Sequence, residues 1–170
     1  MEPVRYYKPS QLKEMTANRK QEFFALFQKL KKKRPSKLDY VVRQLHDEAF
    51  EKFDCLTCAN CCSSISPIIK DKDAERLAKG QKMKTTEFIS QYLYMDDDQD
   101  YVFKQTPCPF LMADNYCCVY QDRPRACREY PHTDRNRFYQ ILPLTLKNCE
   151  ICPIAYAITE ELCKGADQWL

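Results

Sequence analysis

Four cysteines fall within eight residues, at Cys55, Cys58, Cys61 and Cys62. Seven more follow, at Cys108, Cys117, Cys118, Cys127, Cys149, Cys152 and Cys163. Thiolates are soft ligands that select zinc, cuprous copper or iron–sulfur centres. The C-x2-C-x2-C-C spacing gathers three or four of them with almost no loop to close, so assembly of a site costs little chain entropy. Disulfides are the rival reading. The run would force strained short-range bridges, and an odd count of eleven cysteines suits a ligand set with spares better than a complete disulfide framework. The opening residues lack an apolar h-region, so no secretory signal is expected and a reducing, cytoplasmic setting is.

Adjacent residues point in different directions in helix and strand alike. Cys61 and Cys62 therefore do not readily serve one mononuclear ion, and Cys117 and Cys118 pose the same choice. Eight well-placed thiolates would make two four-coordinate sites, or one cluster and one ion. The C-x2-C-x2-C run is like the ligand run of bacterial ferredoxins, whose last cysteine precedes proline, as Cys108 and Cys152 do here. Zinc would accept four thiolates in a closed tetrahedral site, with Cys149 and Cys152 as a remote knuckle. Both chemistries stay open. Cys163 falls at helical spacing and reads as a buried small hydrophobe. His46 reads as surface or core filler, and His132, close to Cys127, as an occasional ligand or a group behind the ligands.

The rest of the sequence narrows the classes. No H-E-x-x-H, G-x-S-x-G or phosphate-cradling loop is present. With only two glycines, Gly80 and Gly165, a dinucleotide-binding fold is excluded. No stretch approaches about 18 apolar residues, so no membrane association is expected. The net charge of +3 is uneven: residues 1–54 carry 13 Lys/Arg and 8 Asp/Glu, a balance of +5, and the remainder −2. The run from Lys29 to Arg34 is densest. It would suit nucleic acid or an acidic partner, but a solvated helix end is the plainer reading, so nucleic acid is disfavoured as a partner.

Periodicity predicts helices over 10–33, capped by Ser10 and stopped by Pro35, and over 38–53, with Val41, Val42, Leu45, Ala49, Phe50 and Phe53 buried. Residues 63–69 read as extended. Asp71 or Asp73 should cap a helix through Lys79, with Gly80 as its left-handed stop. Thr85 or Thr86 should cap another through Tyr94. An acidic turn at 96–100 precedes a strand over 101–105. Asp122 should cap a short helix bearing Cys127. Residues 138–146 read as extended or irregular, and a last helix runs from Pro153 to about Cys163. The expected fold is mainly α with a few short strands (α+β), a compact cysteine-rich domain stapled by metal. The expected division is a basic helical segment, 1–54, packed on a cysteine-cluster metal-binding domain over 50–165.

The run at Cys55–Cys62, Cys108-Pro109-Phe110-Leu111, Cys118-Val119-Tyr120, and Arg123-Pro124 leading to Cys127-Arg128 and Tyr130-Pro131 together resemble the YkgJ-type cysteine-cluster family, a zinc- or iron-chelating domain with eight cysteines. The resemblance covers roughly residues 50–160. It implies metal ligation by Cys55, Cys58, Cys61, Cys62, Cys108, Cys118 and Cys127, with Cys152 as the eighth and Cys149 its rival. Cys117 and Cys163 are then spares. Family members often carry glycine where this chain has Ala59; Asn60 would supply the unusual backbone angle instead. Arg123 and Arg128 would neutralise the thiolates or hydrogen-bond to their sulfurs, or else be ordinary surface arginines of a short helix.

The leading expectation is an intracellular metal-binding protein holding zinc or iron, as ions or as an iron–sulfur cluster, with a protein partner left open. The alternative implied by the resemblance is a metal-dependent modifying or redox enzyme related to flagellin lysine N-methylase. A third class, an adaptor using the basic helix, would show salt-dependent binding.

Overall fold

The computed structural model describes residues 5–166. In chain order come α1 (Pro9–Lys33), α2 (Leu38–Lys52), α3 (Cys55–Cys58), α4 (Asn60–Ser64), α5 (Asp71–Gly80), α6 (Thr85–Tyr92), β1 (Leu93–Met95), β2 (Tyr101–Phe103), α7 (Arg125–Glu129), α8 (Leu142–Cys149) and α9 (Pro153–Lys164). Single 3-10 turns lie at Tyr120–Asp122 and Phe138–Gln140. The fold is mainly α, as expected. The chain groups into two units: one up to Asp54 and from Pro131 onward, the other Cys55–Tyr130. Residues 1–4, the start of the expected 1–54 segment, lie outside the described residues.

The first unit is built around α9, which packs against α1, α2 and α8. Its sequence is apolar on almost every face, which suits a central helix. Pro153 to Thr159 and Leu162 are all buried. α1 brings Leu12, Phe23, Leu26, Phe27 and Leu30 to this core, and α2 brings Leu38, Val41, Val42, Leu45 and Ala49. Full burial of one such side chain contributes about 2 kcal/mol before entropy is charged against it. The Phe23 and Tyr156 rings meet edge to face at 5.6 Å. A polar clamp ties α1 to α9: Arg19 donates to Glu160 at 2.6 Å and to Glu22 at 2.8 Å, and the Tyr7 hydroxyl donates to Glu160.

The second unit has its own core, formed by Ile69, Ala74, Leu77, Phe88, Leu93, Phe103, Phe110 and Val119. β1 and β2 pair antiparallel in the register Leu93 to Phe103, Tyr94 to Val102 and Met95 to Tyr101, and an isolated bridge joins Ile69 to Tyr101. The acidic turn forms as expected, because the Asp96 carboxylate accepts the Asp98 and Asp100 N–H groups.

Several local expectations fail, each for a physical reason. Ser10 does not cap α1; Pro9 opens it and Lys8 precedes it. α1 ends at Arg34, which enters the left-handed region at φ 45° and donates its N–H to the Leu30 carbonyl before Pro35 is reached. Phe50 is on the exposed side of α2. Asp73 and Glu87 sit at the third position of α5 and α6 and accept the Lys70 and Lys84 N–H groups, so Lys70 and Lys84 are the cap residues, one residue before Asp71 and Thr85. Gly80 stays helical and does not stop α5 in the left-handed region; Lys82 takes the positive φ. A Cβ on Gly80 would lie 2.6 Å from Asp122 Oδ2, so glycine is there for space. Asp122 ends a 3-10 turn and leaves the capping of α7 to Asp73. Residues 138–146 are neither extended nor irregular: a 3-10 turn leads into α8, where Pro143 occupies the first turn.

Candidate metal centre

α3 and α4 carry the four-cysteine run as two short helical turns with no buried residue of their own. Ala59 breaks them apart at φ 44°, ψ 13°, and its N–H reaches the Cys55 carbonyl at 2.9 Å. The left-handed residue is thus Ala59 itself, not Asn60, which opens α4. The break matters because one continuous helix would put Cys55, Cys58 and Cys62 on one face and turn Cys61 away from them. Cys61 and Cys62 nonetheless keep their sulfurs 3.9 Å apart.

A loop from Cys108 to Cys118 lies against this run. The Cys108 N–H donates to the Cys62 carbonyl at 2.8 Å, and Asn115 Nδ2 donates to the Thr57 carbonyl at 3.3 Å. Leu111 bridges to Cys117, and the Cys118 N–H donates to the Phe110 carbonyl. Phe110 anchors the loop in the core, its ring 5.2–6.1 Å from those of Phe88, Tyr92 and Phe103. Cys127 arrives on α7, whose first free N–H, from Arg125, donates to Asp73 at 3.1 Å. Asp73 is buried and is also held by Arg76, which in turn donates to the carbonyls of Asp122 and Arg123.

The electrostatics follow from crowding several thiols beside one arginine. Burial pushes the Cys127 thiol up to about 12, reinforced by negative charge on Cys62, Cys108 and Cys117. Burial likewise raises Cys108 to about 11 and raises Cys117. Cys62 moves the other way, to about 7: the Cys61 thiol hydrogen-bonds to it, burial opposes, and the Arg123 charge helps. Arg123 also opposes the rise at Cys117 and Cys127 without reversing it. Its guanidinium lies 3.5 Å from the centre of the Tyr120 ring and donates to the Tyr120 carbonyl at 2.8 Å. Arg128 is exposed. A cation held beside mutually repelling thiolates fits a site that binds a soft metal ion, which would relieve the same repulsion.

The structure brings some predicted ligands together and leaves others apart. Cys55, Cys58, Cys61, Cys62, Cys108, Cys118 and Cys127 all belong to the second unit. Among the described residues, no three Cys, His, Asp or Glu side chains converge in the geometry of a metal site. Cys149, Cys152 and Cys163 belong to the first unit. Cys149 is buried against Thr159 Oγ1 at 3.2 Å and the Ala155 carbonyl at 3.5 Å. Cys152 is buried at the start of α9, and the Cys163 thiol is pushed up to about 12 by burial and by Glu22. His46 is half-buried, with Nδ1 2.8 Å from Thr133 Oγ1 and its ring on Phe50. His132 is half-buried at φ 67°.

A family model named CxxCxxCC, described as a "Putative zinc- or iron-chelating domain", matches residues 54–163. The chain belongs to the CxxCxxCC family. Nothing among curated proteins or solved structures matches it. Chelation of zinc or iron is therefore the chemistry that the family description attaches to this cysteine-rich domain.

Sequence reading passed over two features of the CxxCxxCC domain. Cys117 reads as a spare in the sequence; in the fold, charge on Cys62 and Cys118 raises its thiol, and Cys117 acts the same way on Cys108 and Cys127. A count would have flagged it: Cys55 to Cys127 already contains eight cysteines. Asp73 and Arg76 carry no signal in the sequence beyond a helix-start pattern, because their partners lie some 50 residues away.

Proposed function

We propose that the protein binds zinc or iron through the thiolates of the 55–127 stretch and that this centre holds the cysteine-bearing loops in place. The observation that carries the reading is the seating of the Cys108–Cys118 loop on the four-cysteine run within a single unit: the Cys108 N–H donates to the Cys62 carbonyl at 2.8 Å, beside the Cys61 and Cys62 sulfurs 3.9 Å apart. The ligand set is Cys55, Cys58, Cys61, Cys62, Cys108, Cys118 and Cys127, with Cys117 as the eighth in place of Cys152. Cys117 is favoured because it shares the unit of the other seven, whereas Cys152 is a buried residue leading into α9. Eight thiolates in pairs suit two four-coordinate ions or a cluster with an ion. Arg123 offsets their negative charge, and Asp73 with Arg76 fixes the turn that carries it.

Anaerobic purification with metal and acid-labile sulfide analysis tests the reading and separates zinc from an iron–sulfur centre. Serine replacements of Cys58, Cys61, Cys108, Cys117 and Cys127 should each lower metal content, and those of Cys152 and Cys163 should leave it unchanged. Folded protein that takes up no metal with its thiols reduced would defeat the reading. Loss of metal in Cys152→Ser alone, with Cys117→Ser unaffected, would return the eighth ligand to Cys152.

A further inference from the structure

We propose that the turn between α1 and α2 binds single-stranded nucleic acid, with a basic patch on the phosphates and the Tyr40 ring stacked on a base. In the sequence the Lys29–Arg34 run reads as an ordinary helix end. A helix C-terminus, however, carries only about half an elementary charge. The run and Lys37 put six cations at this one.

The fold adds to them. Arg34 turns the chain in the left-handed region and lies 4.9 Å over the Tyr139 ring, which fixes the 3-10 turn Phe138–Gln140 beside the run. The segment leading into that turn follows α2. Asp134 pairs with Arg43 at 3.0 Å, and the Asp39 carboxylate accepts the Arg137 and Phe138 N–H groups at 2.6 and 2.9 Å. Arg135 and Arg137, roughly 100 residues from the run in sequence, are thereby added to the same surface, and both are exposed. The nearby carboxylates are already engaged. Among the described residues, Lys29, Lys31, Lys32, Lys37 and Arg137 have no ion-pair partner.

Tyr40 decides the class of partner. It lies one helical turn from Lys37 and is 64% exposed, with its hydroxyl held by Gln44 Nε2 at 2.9 Å. An exposed ring bordered by cations is the combination that grips single strands: the charges follow the backbone and the ring takes a base without reading its sequence. An acidic polypeptide offers no flat face for the ring. A membrane would favour apolar side chains free to insert over a ring held by its hydroxyl.

The test is fluorescence anisotropy of the full chain with a labelled single-stranded RNA of about 20 nucleotides and mixed sequence, titrated over a range of salt. Affinity should fall with salt at a log–log slope near −3, for about four phosphates neutralised. The triple variant Lys32→Gln, Arg34→Gln, Arg137→Gln should weaken binding at least about tenfold and flatten the slope by about 2. Tyr40→Ala should weaken it several-fold, about fivefold, with the slope unchanged. A control at Lys72→Gln and Lys79→Gln on α5 should behave as the parent. Circular dichroism checks the fold. If the triple variant unfolds, Lys32→Gln and Tyr40→Ala, both at exposed positions, carry the test. The proposal is overturned by no binding at low salt, by binding that these variants leave unchanged, or by a duplex bound equally well with Tyr40→Ala indifferent. Equal affinity for polyglutamate or for phosphatidylserine vesicles overturns it as well.

Discussion

Ala59 shows how one residue bends the site into shape. A non-glycine residue in the left-handed region costs roughly 1–2 kcal/mol, which the chain accepts to turn the cysteine run between α3 and α4. The resemblance pointed to this position through its missing glycine but assigned the strain to the neighbour, because Asn tolerates that region better than Ala. Burial explains the difference: Ala59 is 4% exposed, so its packing offsets part of the strain. Thr16 has the opposite character. It is fully buried on α1, and its hydroxyl has no hydrogen-bond partner among the described residues. Thr16→Val keeps the shape and removes an unsatisfied polar group, so it should raise stability by about 1 kcal/mol. Urea unfolding reads this directly, and a destabilised variant would mean that the hydroxyl is satisfied in solution. His46 links the fold to pH. Burial holds its pKa below the ordinary value, against the opposing pull of Asp134 and Asp47. The unfolded chain then takes up the proton more readily, so the contribution is intact above about pH 6.5 and is lost as pH falls below it. His46→Gln should show a smaller loss of stability than the parent between about pH 7.5 and 5.5, by no more than about 1 kcal/mol for a half-exposed ring. Identical losses would remove His46 from the account.

At the scale of elements, the long helices were legible and the short ones were not. The stripes Leu12-Phe23-Leu26-Phe27-Leu30 and Val41-Val42-Leu45-Ala49 report α1 and α2 because packing of an apolar face determines them. α9 was legible from its Pro153 start. α8 was missed because Leu142-Pro143-Leu144-Thr145-Leu146 alternates like a strand, and only the fold shows Pro143 in a first turn, where it is harmless. α7 has five residues and cannot hold itself, since helix nucleation costs more than so few bonds return. Its anchor is Asp73 on α5, which accepts the Arg125 N–H and pairs with Arg76 at 2.6 Å. Asp73→Ala would leave Arg76 without its carboxylate and α7 without its cap. It should cost about 3 kcal/mol and lower the retention of metal at Cys127. Thermal melts and metal content together check this. A loss of stability with full metal retention would separate Asp73 from the cysteine site.

For the whole molecule, the cysteine spacing announced the chemistry, while the grouping of the chain needed the fold. The resemblance implied ligands from 55–62 and 108–127 together with Cys152, because spacing cannot say which segments share a core. The Cys55–Tyr130 unit instead contains eight cysteines and an apolar core of its own. That core divides the unit's stability unevenly. α5, α6, β1 and β2 bury Ala74, Leu77, Phe88, Leu93 and Phe103, so they can remain folded without metal. α3 and α4 bury nothing of their own, and the 108–118 loop reaches the core chiefly through Phe110, with Val119 just after it. Under the proposed ligation, metal binding would be folding for these segments, on the order of 10 kcal/mol for a thiolate zinc site at neutral pH. A strong chelator should therefore speed amide exchange across residues 55–66 and 111–128, leave α5 and α6 protected, and leave α1, α2 and α9 at their original rates. Acid should act in the same direction, because protons compete with metal for thiolates. Hydrogen exchange read by mass spectrometry on metal-loaded and chelated protein resolves these segments. Unchanged protection of 55–66 after complete metal removal would show that the run is held by the polypeptide alone, and the centre would then be a site the fold presents and not one that builds it.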